Sequence, residues 1–139
     1  MIRNATAVWN GAGKDGTGKL TTQSGLFKDA NYGYRSRFEN GPGTNPEELV
    51  AAAHAGCFSM KLSFVLGEKG FTPEQIQTRC EITFENGVVS KSHLIVEASV
   101  PGINEQQFQE AVKDAEQNCP ISKLLKAEIS SDAKLAQMA

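Results

Sequence analysis

The sequence predicts an α+β fold, on three observations. Strand-like runs lie at both ends of the chain and between its helical stretches; one long apolar helix occupies the middle; and strands and helices do not alternate as a doubly wound parallel sheet requires. The order is strands, helix, strands, helix, strand, with no repeat, low-complexity tract or linker, so residues 1–139 are expected to form a single domain.

Residues 2–9 carry Thr6, Val8 and Trp9 and suit an opening strand. The segment Gly11-Ala12-Gly13-Lys14-Asp15-Gly16 spells a GxGxxG motif. No helix pattern opens after it and no βαβ unit surrounds it, so it reads as a hairpin turn and not a dinucleotide site. Further strands are expected over 19–22 and 33–38, completing a small antiparallel meander.

The long helix is expected between Gly43 and Gly70. Asn45 suits the N-cap, Pro46 the first helical position, and Glu48 the partner position of a capping box. Gly67 or Gly70 can stop it. Its apolar residues, among them Leu49, Val50, Cys57, Phe58, Met60, Leu62, Phe64, Val65 and Leu66, spread around the cylinder, which predicts a largely buried helix packed on several sides.

After Thr72-Pro73, the runs 76–84 and 88–100 flank Asn86-Gly87, a strong hairpin signal. A second helix follows Pro101-Gly102, with Asn104 as N-cap, Gln107 as capping-box partner and Ile103 with Phe108 as hydrophobic staple. Phe108, Ala111, Val112 and Ala115 fall on one face, expected to dock on the first helix. Asn118-Cys119-Pro120 breaks this helix, 121–126 suits a short helical segment, and 127–135 reads as a last strand.

The composition, 40% hydrophobic and 22% charged, is that of an ordinary globular protein. A chain of 139 residues can bury roughly two-thirds of its unfolded surface without disulfides or metals. Fourteen basic and 16 acidic residues give a net charge of -2, without blocks of one sign, so nucleic acid is not an expected partner. The N-terminal MIRNATAVWNG lacks the apolar region of a secretory signal, and export is not expected. Glu47, Glu48, His54, Ser59, Lys61 and Ser63 interrupt the long helix, which argues for a core element and against a membrane span. Three cysteines without a CxxC pair do not form a secreted disulfide framework, and in a reducing compartment they stay free unless chemistry uses them.

Cys57 lies among Ala53, His54, Ala55, Gly56 and Phe58, small groups that let another element approach. A buried cysteine commonly acts as a small hydrophobe. Reactivity needs a thiolate, and an ordinary thiol of pKa about 8.5 is only slightly ionised at neutral pH, so a cation must stand nearby. Arg35 and Arg37, two apart on a predicted strand and hence on one face, are the candidates; solvated surface arginines are the alternative. Cys119 precedes Pro120 at a helix start, where N–H groups favour a thiolate, or it is an unreactive cap residue. Cys80, between Arg79 and Glu81 on a strand, reads as structural.

His54, three residues before Cys57, raises a Cys–His nucleophile pair for acyl transfer, although no oxyanion-hole pattern accompanies it. A metal site from His54, Cys57, His93 and Cys119 would have to converge without any ligand pair at zinc-finger spacing, and no metal is expected. Glu47 and Glu48 suit the helix dipole and cap, and Glu47 could instead hold an arginine.

Taken together, Arg37-Phe38-Glu39, Gly43-Thr44-Asn45-Pro46-Glu47-Glu48-Leu49, Ala53-His54-Ala55-Gly56-Cys57-Phe58-Ser59-Met60 and Asn118-Cys119-Pro120-Ile121-Ser122-Lys123 resemble the signature of the OsmC/Ohr family of thiol peroxidases. The resemblance continues through VPGI at 100–103 and LKAEI at 125–129. GTNPEEL, AAHA and CPISK look more like the OsmC (osmotically inducible protein C) branch than the organic hydroperoxide resistance branch.

The resemblance implies antiparallel sheets wrapped around two central helices in an intertwined cytoplasmic homodimer, with two active sites at the interface. It implies a hydroperoxide reductase acting on organic hydroperoxides and, less well, hydrogen peroxide, without metal or organic cofactor. Cys57 would be the peroxidatic thiolate, Cys119 the resolving thiol that forms a disulfide with it, Arg37 of the partner subunit the cation beside the sulfur, and Glu47 its orienting carboxylate. An external dithiol or lipoylated protein would regenerate the thiols. Phe58 and Met60 are the candidates for contact with an apolar substrate tail. Cys80 has no counterpart in the pattern. The rival expectations are a non-catalytic, stress-related binding or structural protein on the same scaffold, and the Cys57–His54 acyl-transfer enzyme.

Overall fold

The computed structural model describes residues 1–136, which form two compact units, Met1–Leu49 and a second beginning at Val50. In the first, β1 (Ala5–Asn10), β2 (Thr17–Thr22) and β3 (Ala30–Tyr32) make an antiparallel sheet in the order β1-β2-β3. The GxGxxG segment is the β1–β2 connection, where Gly11 takes φ +97° and the Gly16 N–H donates to Ala12 O at 2.7 Å. Gly18 is needed for a different reason: a Cβ there would stand 2.5 Å from the Tyr32 ring and 2.8 Å from Trp9, whose rings lie across it.

The strand expected over 33–38 is instead a short helix, α1 (Tyr34–Phe38). Ser36 Oγ accepts from Gly33 N at 2.9 Å and donates to Gly33 O at 3.0 Å, and the Arg37 N–H reaches Gly33 O, which closes the first turn. The alternation of Tyr34, Ser36 and Phe38 fits a strand, but Tyr34 and Phe38 are also four apart, and their rings meet at 4.9 Å across one helical turn. Arg35 and Arg37 therefore do not share a face, since two helical positions are about 200° apart.

Helix α2 (Pro46–Glu68) begins as expected, with the Glu48 N–H donating to Asn45 Oδ1 at 2.7 Å. The capping box is not completed: the Glu48 carboxylate accepts from Thr44 Oγ1 at 2.8 Å instead. Asn45 works in two directions, its Nδ2 donating to Ser36 O at 2.9 Å and so tying α1 to the start of α2. The helix ends at Glu68, and Gly70 just beyond it takes φ +88° while the Phe71 N–H returns to Leu66 O.

In the second unit, β4 (Gln75–Glu85) and β5 (Val88–Ser99) form the expected hairpin, with Asn86 at φ 52° and Gly87 at φ 76° as its two turn residues. Helix α3 (Glu105–Asn118) carries both halves of the Asn104–Gln107 capping box. It passes through Cys119 into α4 (Pro120–Leu124), and β6 (Glu128–Leu135) closes the sheet in the order β4-β5-β6. β6 runs parallel to β5, so this sheet is mixed where an antiparallel one was expected; the chain crosses over through α3 and α4 before pairing, the kind of connection that parallel strands require.

The core joins one face of β5 (Leu94, Val96, Ala98), one stripe of α2 (Phe58, Leu62, Val65, Leu66) and one of α3 (Phe108, Ala111, Val112, Ala115), together with Cys119. α2 is the helix that is long and apolar enough to cross a membrane among the described residues. Its buried side chains fall at 54, 58, 62, 65 and 66, a single stripe. Packing on several sides is therefore not achieved within one chain: Met60 and Phe64 remain 65% and 64% exposed, with Ala53, Gly56 and Gly67 open on the same flank.

Candidate active site

Cys57 sits just past the third turn of α2, half-buried against the core. Cys119 is fully buried at the junction of two helices, ending α3 with its N–H on Ala115 O and preceding Pro120, the first residue of α4. Its φ of -59° and ψ of 129° turn the chain between the two, and an extended ψ is what the residue before proline favours. This turn brings the two thiols together. Both thiols are free, and Cys119 and the Ile121 backbone N–H lie near enough to Cys57 to act on its ionisation.

Burial raises the Cys57 pKa above the ordinary thiol range, and the neighbouring Cys119 thiol adds to the rise. The Ile121 N–H and the Lys61 ammonium, one turn along the helix, work the other way without reversing the balance. Within its own unit Cys57 is thus held as a thiol, poised beside a second thiol but short of positive charge.

Arg37 and Glu47 lie in the first unit, in α1 and in the first turn of α2. They form a fork: Arg37 Nε donates to Glu47 Oε1 at 3.0 Å and Nη2 to Oε2 at 3.1 Å. The carboxylate is well covered, with 15% of its side chain exposed, while the guanidinium keeps 38%. Such bidentate pairing fixes the plane of the guanidinium and leaves its remaining donors aimed elsewhere. Arg35, the other candidate cation, instead pairs with Glu39 at 3.8 Å at an exposed site.

Arg37 also borders a cavity of about 230 Å³ lined by Trp9, Tyr32, Tyr34, Phe38 and Pro46. The Trp9 and Tyr32 rings meet at 5.6 Å, and the Arg37 guanidinium stands 5.3 Å from the centre of the Phe38 ring. This aromatic cup was missed in the sequence, although the clustering of Tyr32, Tyr34 and Phe38 around the arginines was visible in NYGYRSRF. Phe58, expected near the substrate tail, is fully buried in the core and cannot meet a ligand; Met60 is exposed.

His54 is fully buried, and both ring nitrogens are engaged: Nδ1 shares a hydrogen bond with Ser92 Oγ at 2.6 Å and Nε2 with Ser122 Oγ at 2.8 Å. Neither nitrogen is left to activate Cys57, which removes the basis of the acyl-transfer expectation. Burial lowers the His54 pKa, partly offset by the Glu116 carboxylate. Cys80 touches the same cluster, its sulfur 3.2 Å from Ser92 Oγ, and burial raises its pKa. His93 is on a different cluster, hydrogen-bonded to Ser130 Oγ at 2.7 Å and Asp132 Oδ2 at 3.1 Å. Among the described residues no three His, Cys, Asp or Glu side chains group closely enough to hold a metal ion.

Comparison with known proteins follows the same lines. The family model described as OsmC-like protein matches residues 39–134. Peroxiredoxin OsmC of Escherichia coli is 43% identical over 137 residues, covering 96% of both chains. An organic hydroperoxide resistance protein of Xanthomonas axonopodis is 29% identical over 103 residues, 69% of each chain. Among solved structures, the OsmC-like protein of Mycoplasma pneumoniae superposes with a TM-score of 0.76 at 16% identity over 99% of both chains. The organic hydroperoxide resistance protein OhrB of Bacillus subtilis gives 0.66 at 22% identity, over 94% of this chain and 98% of its own. A match that covers 96% of one relative at 43% identity, together with a family model over residues 39–134, leaves a single conclusion, that this chain belongs to the OsmC family.

Proposed function

We propose that the chain is a hydroperoxide reductase working through its own thiols, and that the adjacency of Cys57 and Cys119 is what carries the reading. The Cys57 thiolate attacks the distal oxygen of an organic hydroperoxide ROOH; the O–O bond breaks, the departing alkoxide takes a proton to leave as ROH, and Cys57 becomes a sulfenic acid. Cys119 then gives up its proton and attacks that sulfur. An S–S bond forms, the hydroxyl departs as water, and no further peroxide can reach a free sulfenate. An external dithiol, free or as a lipoyl group on a protein, reduces the disulfide by exchange.

Cys57 lacks a cation strong enough to offset its burial within its own unit, and the partner subunit's Arg37 is proposed to supply it, held in plane by Glu47. A permanently charged guanidinium there favours the thiolate and steadies the negative charge that builds on the leaving oxygen. The open flank of α2, with Met60 and Phe64 exposed, supports a second copy of the chain as its cover, and the two units of each chain then serve one cytoplasmic homodimer. The aromatic cup beside Arg37 offers an apolar wall for the R group, which favours organic hydroperoxides over hydrogen peroxide.

The test is a thiol count. Reduced protein carries three free thiols, and one equivalent of cumene hydroperoxide should leave one. Cys57→Ser should lose neither of its remaining two, and Cys119→Ser should stop at an oxidised Cys57 without forming a disulfide. An unchanged count in the wild type would refute the reading.

A further inference from the structure

We propose that His54 is a positioning residue for the second half of this reaction, anchoring α4 through Ser122 so that Cys119 stays against Cys57. The inference rests on the peroxidase reading and goes beyond it. His54 is one helical turn before Cys57, and neither of its ring nitrogens takes part in peroxide chemistry. A histidine fully buried in a core costs stability unless both nitrogens are satisfied, and here two serines from different elements satisfy them: Ser92 from β5 and Ser122 from α4.

The Ser122 bond is the one that matters for the site. α4 is only five residues long and none of its side chains is fully buried; Ile121 is its partly buried contact with the core, a small hold for packing alone. Yet Ser122 has functional neighbours: Ile121, the residue before it, has an N–H that favours the Cys57 thiolate, and Cys119 precedes the helix. The 2.8 Å bond from His54 Nε2 to Ser122 Oγ thus connects the rigid helix that carries Cys57 to the short one that presents Cys119. With the imidazole neutral, one nitrogen accepts and the other donates, and each serine hydroxyl can serve as the complement.

Attack by Cys119 on the sulfenic acid is an intramolecular step whose rate depends on sulfur alignment, whereas attack on the hydroperoxide by Cys57 meets α4 only through the influence of the Ile121 N–H on the thiol. Loosening α4 should therefore act chiefly on disulfide closure. While closure is delayed, a second hydroperoxide can convert the Cys57 sulfenic acid to a sulfinic acid, transferring one oxygen and releasing ROH.

The experiment follows sulfenic acid, disulfide and sulfinic acid at Cys57 by rapid quench and mass spectrometry, with cumene hydroperoxide as oxidant. Ser122→Ala and His54→Ala should slow closure by about ten- to a hundredfold, the scale on which misplaced reacting groups act, with sulfenic acid formation slowed far less. Sulfinic acid should accumulate in both at excess oxidant. The amide of glutamine reaches roughly where Nε2 stands and that of asparagine where Nδ1 stands, so His54→Gln should close much faster than His54→Ala, and His54→Asn should not. Ser122→Ala changes one half-buried hydroxyl, and stays informative if His54→Ala does not fold. Closure by Ser122→Ala at the wild-type rate overturns the proposal, as does equal slowing of both steps. A wild type that forms no Cys57–Cys119 disulfide overturns the peroxidase reading and this proposal with it.

Discussion

Glu47→Gln isolates the orienting role of the carboxylate from the charge of the arginine it holds. The pair meets at 3.0 and 3.1 Å. At such distances two unit charges attract by about 5 kcal/mol at an effective dielectric of 20 and about 1.4 kcal/mol in bulk water. With more than a third of the guanidinium side chain exposed, screening places the pair near the lower value, about 1 kcal/mol. A glutamine keeps one oxygen to accept a hydrogen bond but presents an NH₂ to the other donor, so the fork opens and the guanidinium plane is released. If about 1–1.4 kcal/mol of orientation reaches the transition state, peroxide attack slows by roughly tenfold. Arg37→Ala removes the donors altogether and should cost about a hundredfold or more. Single-turnover consumption of cumene hydroperoxide reads the rate, and thermal unfolding of the same samples should change little. Glu47→Gln reacting as fast as wild type would remove Glu47 from the mechanism.

Two further outcomes follow, one from burial and one from exposure. The folded-state pKa of His54 is depressed, so the unfolded chain takes up a proton first as pH falls; stability present above the ordinary histidine value of about 6.5 is lost progressively below it, and urea midpoints at pH 7.5 and 5 should show a loss that His54→Gln reduces. Phe64→Asp places a charge on the open flank of α2, and sedimentation should show it shifting the proposed dimer to monomer while the circular dichroism of each chain is kept.

What was legible in the sequence was local. The start of α2, the Asn86-Gly87 hairpin and the Asn104–Gln107 cap each rest on residues within four positions of one another, and each is present. α1 was misread because Tyr34–Phe38 is too short for periodicity to separate two from 3.6, and the deciding contacts are the bonds of Ser36 to Gly33. The parallel pairing of β6 depends on where α3 and α4 deliver the chain, which no pattern within β6 records. At the site, the motifs marked Cys57, Cys119, Arg37 and Glu47, and the Arg37–Glu47 fork is present. The Cys57–Cys119 contact is tertiary, made by the turn at Cys119. His54 drew notice for its spacing from Cys57, but its partners Ser92 and Ser122 come from distant parts of the chain and carry no signal of their own.

The double duty of Asn45 also bears on how the protein ages. Asparagine deteriorates chiefly when the next residue's backbone nitrogen attacks the side-chain amide to close a cyclic imide. Here the next residue is Pro46, whose nitrogen is already part of a ring and carries no hydrogen. The one amide that ties α1 to α2, and with it the segment bearing Arg37 to the segment bearing Glu47, is thereby shielded from that chemistry. Asn86, followed by Gly87, has no such shield, so slow deamidation of stored protein should register at the tip of the β4–β5 hairpin before it touches the clamp.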